Sequence, residues 1–166
     1  MTPSRVIILV IAAILFGLAW VSGGNEVTDY VPYYAQRLIG RTATVTVQGK
    51  TLYVEVARSA GAKSKGLAGR RQLPLNHGML FPFDTPGQYE FWMQGMEIPL
   101  DIVWLRDGVI VELSRNARPP GKAETPVRVK PTVPVNQVLE VRAGIGKDWQ
   151  PGNPVTVRDD RPLFLP

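Results

Sequence analysis

The sequence predicts a small β-rich α+β domain: a barrel-like sheet of mostly antiparallel strands with one short helix, preceded by an apolar N-terminal helix. Two observations lead to this prediction. Short stretches in which apolar and polar residues alternate recur between turn residues, a pattern typical of half-buried strands. The 166 residues also include 15 prolines and 16 glycines, which favour many turns and short strands over long helices. A chain of this length suits one domain with a single core.

The first hairpin is predicted at residues 42–47 and 52–57, where polar and apolar side chains alternate on either side of a glycine-containing turn. Residues 59–73 contain helix formers interrupted by three glycines, which indicates one short helix with a weakly specified end. We interpret residues 74–82, which begin and end with proline, as a loop.

A second and clearer hairpin joins residues 100–105 to residues 109–113 through an Arg-Asp-Gly turn. The remaining predictions are strands at 89–93, 136–142 and 155–157, a proline-rich loop at 117–134, a short helical piece at 33–39 and an apolar tail at 161–166.

An uncharged apolar run begins at Val6 and ends at Val21. As a helix it would be about 24 Å long. A hydrocarbon core is about 30 Å thick, so the run is either a short membrane span or a long signal-peptide core. Arg5 precedes it, whereas Glu26 and Asp29 follow it. This asymmetry favours an N-terminus inside the cell and a domain outside it.

Two interpretations of this run stay open. Trp20 suits a retained anchor, whereas the small residues Ser22 and Gly23 are compatible with signal-peptidase cleavage. We expect a single-pass protein of the cytoplasmic membrane in the first case and a secreted or periplasmic domain in the second. The predicted boundaries are 1–24 for the anchor or signal peptide, 25–41 for a linker, 42–160 for the β-rich domain and 161–166 for the tail.

The net charge of +5 comes from dispersed positive residues. Their densest cluster is formed by Lys63, Lys65, Arg70 and Arg71, and no aromatic residue is interleaved with it. We interpret this cluster as a solvated basic face. We expect no nucleic-acid partner, since an exported domain would not meet one.

The chain has no cysteine, and His77 is its only histidine. These counts exclude disulfides, thiolate catalysis and metal sites built on several cysteines or imidazoles. The sequence also has no Gly-x-Ser-x-Gly elbow and no phosphate-binding glycine loop. We therefore predict no metal and no cofactor, and we favour a protein that is not an enzyme.

Six short segments between residues 52 and 157 form a pattern in their order and spacing. They are Gly66-Leu67-Ala68-Gly69-Arg70, Gly78-Met79-Leu80-Phe81, Phe91-Trp92-Met93, Ile98-Pro99-Leu100-Asp101-Ile102, Val138-Leu139-Glu140 and Ala143-Gly144. This pattern resembles a prokaryotic family of uncharacterised proteins, catalogued as domain of unknown function 192. The resemblance implies a compact, barrel-like domain with one short helix, often preceded by a signal or anchor. It implies no established reaction.

The sequence departs from the family pattern at three places. The family usually has Met at the position of Ala68, Lys-Asn-Thr at the positions of Gln94-Gly95-Met96, and Gly-Asp at the positions of Gly152-Asn153. An activity of the family that used that lysine or those polar groups would be lost or altered in this chain.

The aromatic run around Trp92 is either core or part of a cleft that opens to solvent. In the second interpretation, Trp92 and Met93 would bind a small molecule or saccharide by stacking and apolar contact. Arg70 and Asp101 would add directed hydrogen bonds, with Arg70 able to clamp an anionic group. These four residues are the predicted ligand-binding set.

Asp101 and Glu140 are weak candidates for the acid and base of a hydrolase. Both lie in apolar strands, where an unpaired charge is costly, so a buried pairing with Arg70 is the alternative. We predict a membrane-anchored or exported binding or accessory module of the cell envelope with a small-molecule or saccharide cleft. The alternatives are a carboxylate-dependent hydrolase acting on an envelope substrate and a purely structural interaction domain.

Overall fold

The computed structural model describes residues 42–122 and 124–159, which contain nine strands and one short helix. The predicted N-terminal apolar helix, the linker with its helical piece and the apolar tail lie outside the described residues. In chain order the elements are β1 (Thr42–Val47), β2 (Lys50–Val56), α1 (Ala60–Lys65), β3 (His77–Gly87), β4 (Phe91–Trp92), β5 (Leu100–Arg106), β6 (Val109–Ala117), β7 (Arg128–Val129), β8 (Val135–Arg142) and β9 (Val155–Asp159).

Seven strands form one sheet in the order β6-β5-β8-β3-β2-β1-β9, and β4 pairs with β7 in a separate two-stranded sheet. Every pairing is antiparallel except the one between β2 and β3. The large sheet curls into a half-barrel. A bridge between Val109 and Pro154 joins the start of β6 to the segment that leads into β9. The β-rich, barrel-like prediction is confirmed for the described residues, and none of the helices among them is long and apolar enough to cross a membrane.

Strand alternation sorts the side chains of the large sheet onto two faces, because successive residues of a strand point to opposite sides. The first core covers one face and includes Val45, Val54, Leu80, Val103 and Leu139. The second core covers the other face and includes Met79, Phe81, Ile102, Trp104 and Val138.

The loop after α1 closes part of the second core, although α1 itself contributes no buried residue. Leu67 and Leu73 are buried there, together with Met93 and Met96 from the segment after β4. Burial of a leucine side chain contributes about 2 kcal/mol. A backbone hydrogen bond from Gly69 to the Gly95 carbonyl holds these two segments side by side.

The predicted loop at residues 74–82 is wrong, because most of it belongs to β3. The strand pairs in parallel with β2 and antiparallel with β8, so its backbone groups are satisfied on both sides. Gly78 permits the close approach to β8: a Cβ atom there would lie 2.5 Å from the Glu140 carbonyl oxygen. Pro82 lies inside the strand, at the point where the pairing with β8 becomes irregular.

Two further predictions change in extent. The strand predicted at 89–93 is reduced to Phe91–Trp92. Its partner, β7, lies inside the stretch that the sequence predicts as a proline-rich loop. The surrounding prolines remove backbone donors, which limits how far this small sheet can extend.

Candidate functional site

The alternation of β4 decides the roles of its aromatic residues. Phe91 points inward, where its ring packs edge-on against Phe81 and Trp104 at centroid distances of 5.0 and 5.5 Å. Trp92 points outward and is 46% exposed. Met93 points inward again and is 1% exposed. The aromatic run therefore contributes to the core through Phe91 and Met93 and to the surface through Trp92.

Trp92 lines a surface groove with a volume of about 170 Å³. The lining comes from three parts of the chain: α1, the end of β3 with the segment that follows it, and β4. The lining residues are Lys63, Phe83, Tyr89, Glu90, Phe91 and Trp92.

Phe83 and Tyr89 form a stacked pair on one side of this aromatic groove. Their ring centroids are 3.6 Å apart and the rings are tilted by only 11°. The Tyr89 hydroxyl donates a hydrogen bond to the Thr85 carbonyl, which fixes the ring against the end of β3. Gly87 makes room for it, because a Cβ atom at this position would lie 3.1 Å from the Tyr89 ring.

Charged side chains flank the aromatic rings of the groove. The guanidinium of Arg128 lies 5.3 Å from the centre of the Trp92 ring and forms an ion pair with Glu90. The ammonium of Lys63 lies 4.4 Å from the centre of the Phe83 ring. Both contacts are cation–π interactions, and they help to hold the rings in position.

Arg70 does not line this groove. Its guanidinium donates two hydrogen bonds to the carboxylate of Glu55 on β2, at 2.5 and 2.7 Å. The two side chains are 18% and 20% exposed, so the pair is largely sheltered from water. A bidentate pair of this kind is strong and directional. Arg70 therefore ties the segment after α1 to β2.

Asp101 also lies away from the groove, and its carboxylate binds the backbone of a neighbouring loop. Its carboxylate is 2% exposed and accepts hydrogen bonds from the backbone N–H groups of Asn116, Gly144 and Gly146 at 2.9, 2.9 and 3.2 Å. The loop it holds carries Trp149 into the first core. Arg115 reinforces this loop by donating to the carbonyls of Gly146 and Trp149.

Glu140 is a buried acid in an apolar environment. Its side chain is 6% exposed, and its Oε2 atom has no hydrogen-bond partner among the described residues. Burial raises the pKa of Glu140 to about 8, and the positive charge of Arg70 opposes this effect only in part. Gly66 covers the carboxyl group, since a Cβ atom there would lie 3.7 Å from Oε2.

The predicted ligand-binding set therefore does not assemble. Only Trp92 lines the groove, while Met93 is in the second core, Arg70 is paired with Glu55 and Asp101 holds a loop. Asp101 and Glu140 project from opposite faces of the sheet, because Asp101 is opposite Val141 and Glu140 is opposite Ile102. A shared acid–base pocket is incompatible with this register. No group of acidic or histidine side chains within 42–122 and 124–159 could hold a metal ion.

The predicted ligand-binding set omitted five of the six groove residues: Lys63, Phe83, Tyr89, Glu90 and Phe91. One local signal was available. Phe83 and Tyr89 flank the stretch Asp84-Thr85-Pro86-Gly87-Gln88, in which Pro and Gly favour a turn. In the structure this stretch is the irregular end of β3, and the two rings stack across it. The contribution of Lys63 had no such signal, since it depends on where α1 packs.

The fold and the groove together define a class: a small β-rich half-barrel domain that presents aromatic side chains on its surface. The chain belongs to the family of domain of unknown function 192 (DUF192), described as an uncharacterized ACR, whose model matches residues 43–157. This match confirms the resemblance seen in the sequence. None of the curated proteins is significantly similar to the chain.

Two solved structures are similar to the chain. One is a protein of Sinorhizobium meliloti 1021, described as a candidate transcription regulator. It is 30% identical with a TM-score of 0.62, and the match covers 70% of this chain and 92% of that one. The other is a protein of unknown function from Novosphingobium aromaticivorans DSM 12444. It is 32% identical with a TM-score of 0.58, and the match covers 69% of this chain and 83% of that one.

Proposed function

We propose that this protein is a non-enzymatic binding module of the cell envelope whose aromatic groove takes a saccharide or a similar small molecule. In this proposal the apolar run that begins at Val6 anchors the domain at the outer face of the cytoplasmic membrane or exports it. The observation that carries the proposal is the exposed Trp92, held by Arg128 beside the stacked pair of Phe83 and Tyr89.

Exposed aromatic rings in fixed orientations suit a ligand with a flat apolar face. A sugar ring has such a face, formed by its C–H groups, and it stacks on indole and phenol rings. Trp92 is 46% exposed and lines the groove with the rings of Phe83 and Tyr89, and an apolar patch of this kind beside charged side chains favours a binding role.

The size of the groove limits what it can hold. Pockets that enclose drug-sized ligands have volumes of about 300 Å³ or more. The volume of about 170 Å³ is smaller, and it suits one ring of a longer molecule better than a whole ligand. We therefore expect the ligand to extend beyond the groove, as a polysaccharide chain would.

The lining favours binding over catalysis. It contains no serine, threonine, cysteine or histidine, and its one acid, Glu90, is committed to Arg128. The carboxylate-dependent alternative receives no support, because Asp101 and Glu140 do not share a pocket.

The test is a binding screen against envelope saccharides. The full chain is purified in a zwitterionic detergent without sugar groups, and binding is followed by tryptophan fluorescence and calorimetry. Trp92→Ala should abolish binding. Tyr53→Ala is the matched control, since Tyr53 is an exposed aromatic residue (40%) outside the groove. No binding to any component, or binding that Trp92→Ala leaves unchanged, would contradict the proposal.

The envelope location needs a separate measurement. N-terminal sequencing of the protein isolated from cells distinguishes a retained anchor from a cleaved signal peptide. A start near Gly24 would remove the anchor and leave export. A protein with an intact N-terminus that fractionates with the cytosol would contradict both forms of the proposal.

A further inference from the structure

We propose that the ligand of the aromatic groove is acidic, namely a saccharide ring with a carboxylate substituent, and that Lys63 recognises the carboxylate. This inference rests on the proposed function of the groove and adds the chemical class of the ligand.

The structure distinguishes Lys63 from the two arginines of the basic cluster that the sequence contains. Arg70 is bound to Glu55, and Arg71 lies 3.4 Å from Glu97. Lys63 is the member that lines the groove. Within residues 42–122 and 124–159, it forms no ion pair.

The ring beneath Lys63 prepares it for a charged partner. Its ammonium lies 4.4 Å from the Phe83 centroid, and the side chain is half-buried. The ring removes water from one side of the ammonium but offers no hydrogen-bond acceptor comparable to a carboxylate. An anion that binds on the other side of the ammonium would contact a positive charge that water screens less than the charge of a fully solvated lysine.

The backbone around Lys63 is also fixed. The Lys63 N–H donates to the Ser59 carbonyl at 2.9 Å, and the Ser59 hydroxyl caps α1 by accepting from the Ala62 N–H at 3.2 Å. The Gly66 N–H closes the other end by donating to the Ala62 carbonyl. A helix of only six residues thus holds this lysine at a defined place beside the groove.

The other charges at the groove cancel. Glu90 and Arg128 neutralise each other in their ion pair, so Lys63 leaves the groove with one net positive charge. A neutral sugar would gain only the stacking contribution. A ring with a carboxylate would gain the stacking contribution and a charge-assisted hydrogen bond.

The experiment compares trigalacturonate with its methyl ester, which has the same rings without the charges. Both are titrated against the full chain in the zwitterionic detergent. We expect the acid to bind at least about tenfold more tightly than the ester, as one charge-assisted hydrogen bond allows. Salt should weaken binding of the acid and leave the ester unaffected.

Three variants connect the preference to the side chain. Lys63→Gln should bind the acid and the ester equally, and Lys63→Arg should retain the preference. Lys147→Gln is the control, since Lys147 is an exposed lysine outside the groove lining. It should behave like the unchanged protein.

Equal affinity for acid and ester, or a preference that survives Lys63→Gln, would overturn the inference. In either case the proposed function stands if Trp92→Ala still abolishes binding. Failure of both the acid and the ester to bind would also overturn the inference, and the neutral saccharides of the wider screen would then decide the proposed function by themselves.

Discussion

Asp101 and Glu140 lie on adjacent antiparallel strands one position out of register, so their side chains project from opposite faces of the sheet. Each is buried, yet their surroundings differ. Asp101 accepts three backbone hydrogen bonds, whereas Glu140 lies in an apolar core with one oxygen unpartnered. The two acids lie in similar apolar stretches of the sequence, yet the carboxylate of Asp101 is satisfied by hydrogen bonds and that of Glu140 is not.

Asp101→Ala should lower the free energy of unfolding by about 3 kcal/mol, because it leaves three backbone donors without their acceptor. Urea unfolding followed by tryptophan fluorescence measures this change. Asp148→Ala is the control: Asp148 is exposed, and its loss should change stability by less than about 0.5 kcal/mol. Equal effects of the two changes would show that the loop does not depend on Asp101.

Glu140→Gln should change how stability depends on pH. The pKa of Glu140 is about 8 in the folded protein and 4.5 for a glutamate exposed to water, so between these pH values the folded state holds a proton that the unfolded state has lost. The contribution of this group to the free energy of unfolding is fully present below pH 4.5. It is lost as the pH rises from 4.5 through 8, by up to about 1.4 kcal/mol per pH unit.

The glutamine variant lacks this dependence, so its stability relative to the unchanged protein should rise between pH 5 and pH 8. Chemical denaturation at several pH values within the window from 4.5 to 8 measures the difference. If the two stability curves ran parallel across this window, Glu140 would not carry the proton.

The ion pair of Arg70 and Glu55 should show a coupling energy of about 1–2 kcal/mol in a double-mutant cycle with alanine, because the pair is bidentate and sheltered. The exposed pair of Arg71 and Glu97 is the control and should give about 0.5 kcal/mol or less. A coupling energy for the first pair no larger than for the second would remove the role of Arg70 in tying its segment to β2.

Glycine-to-alanine changes at Gly78 and Gly61 should alter the free energy of unfolding in opposite directions. Gly78→Ala places a Cβ atom 2.5 Å from the Glu140 carbonyl oxygen, which forces β3 and β8 apart and should cost about 3 kcal/mol. Gly61→Ala meets no atom within 4 Å on α1 and should raise the free energy of unfolding by up to about 1 kcal/mol. Thermal or urea unfolding of both variants measures the contrast. A tolerated Gly78→Ala would show that the strands can separate at low cost.

The sequence by itself determined the features that depend on neighbouring residues. The hairpin of β5 and β6 was predictable because alternation and an Arg-Asp-Gly turn are local. The β-rich class and the membership in the family also came from local patterns in a set order. The exposure of Trp92 follows from alternation once β4 is known to pack Phe91 against the second core.

Only the tertiary structure decided which residues meet. The strand at His77–Gly87 looked like a loop, since it is defined by partners on β2 and β8 that are distant in the chain. The pairing of β5 with β8 places Asp101 and Glu140 on opposite faces, and the packing of α1 brings Lys63 over Phe83. Burial and charge pairing depend on such long-range contacts, and a pattern of neighbouring residues does not contain them.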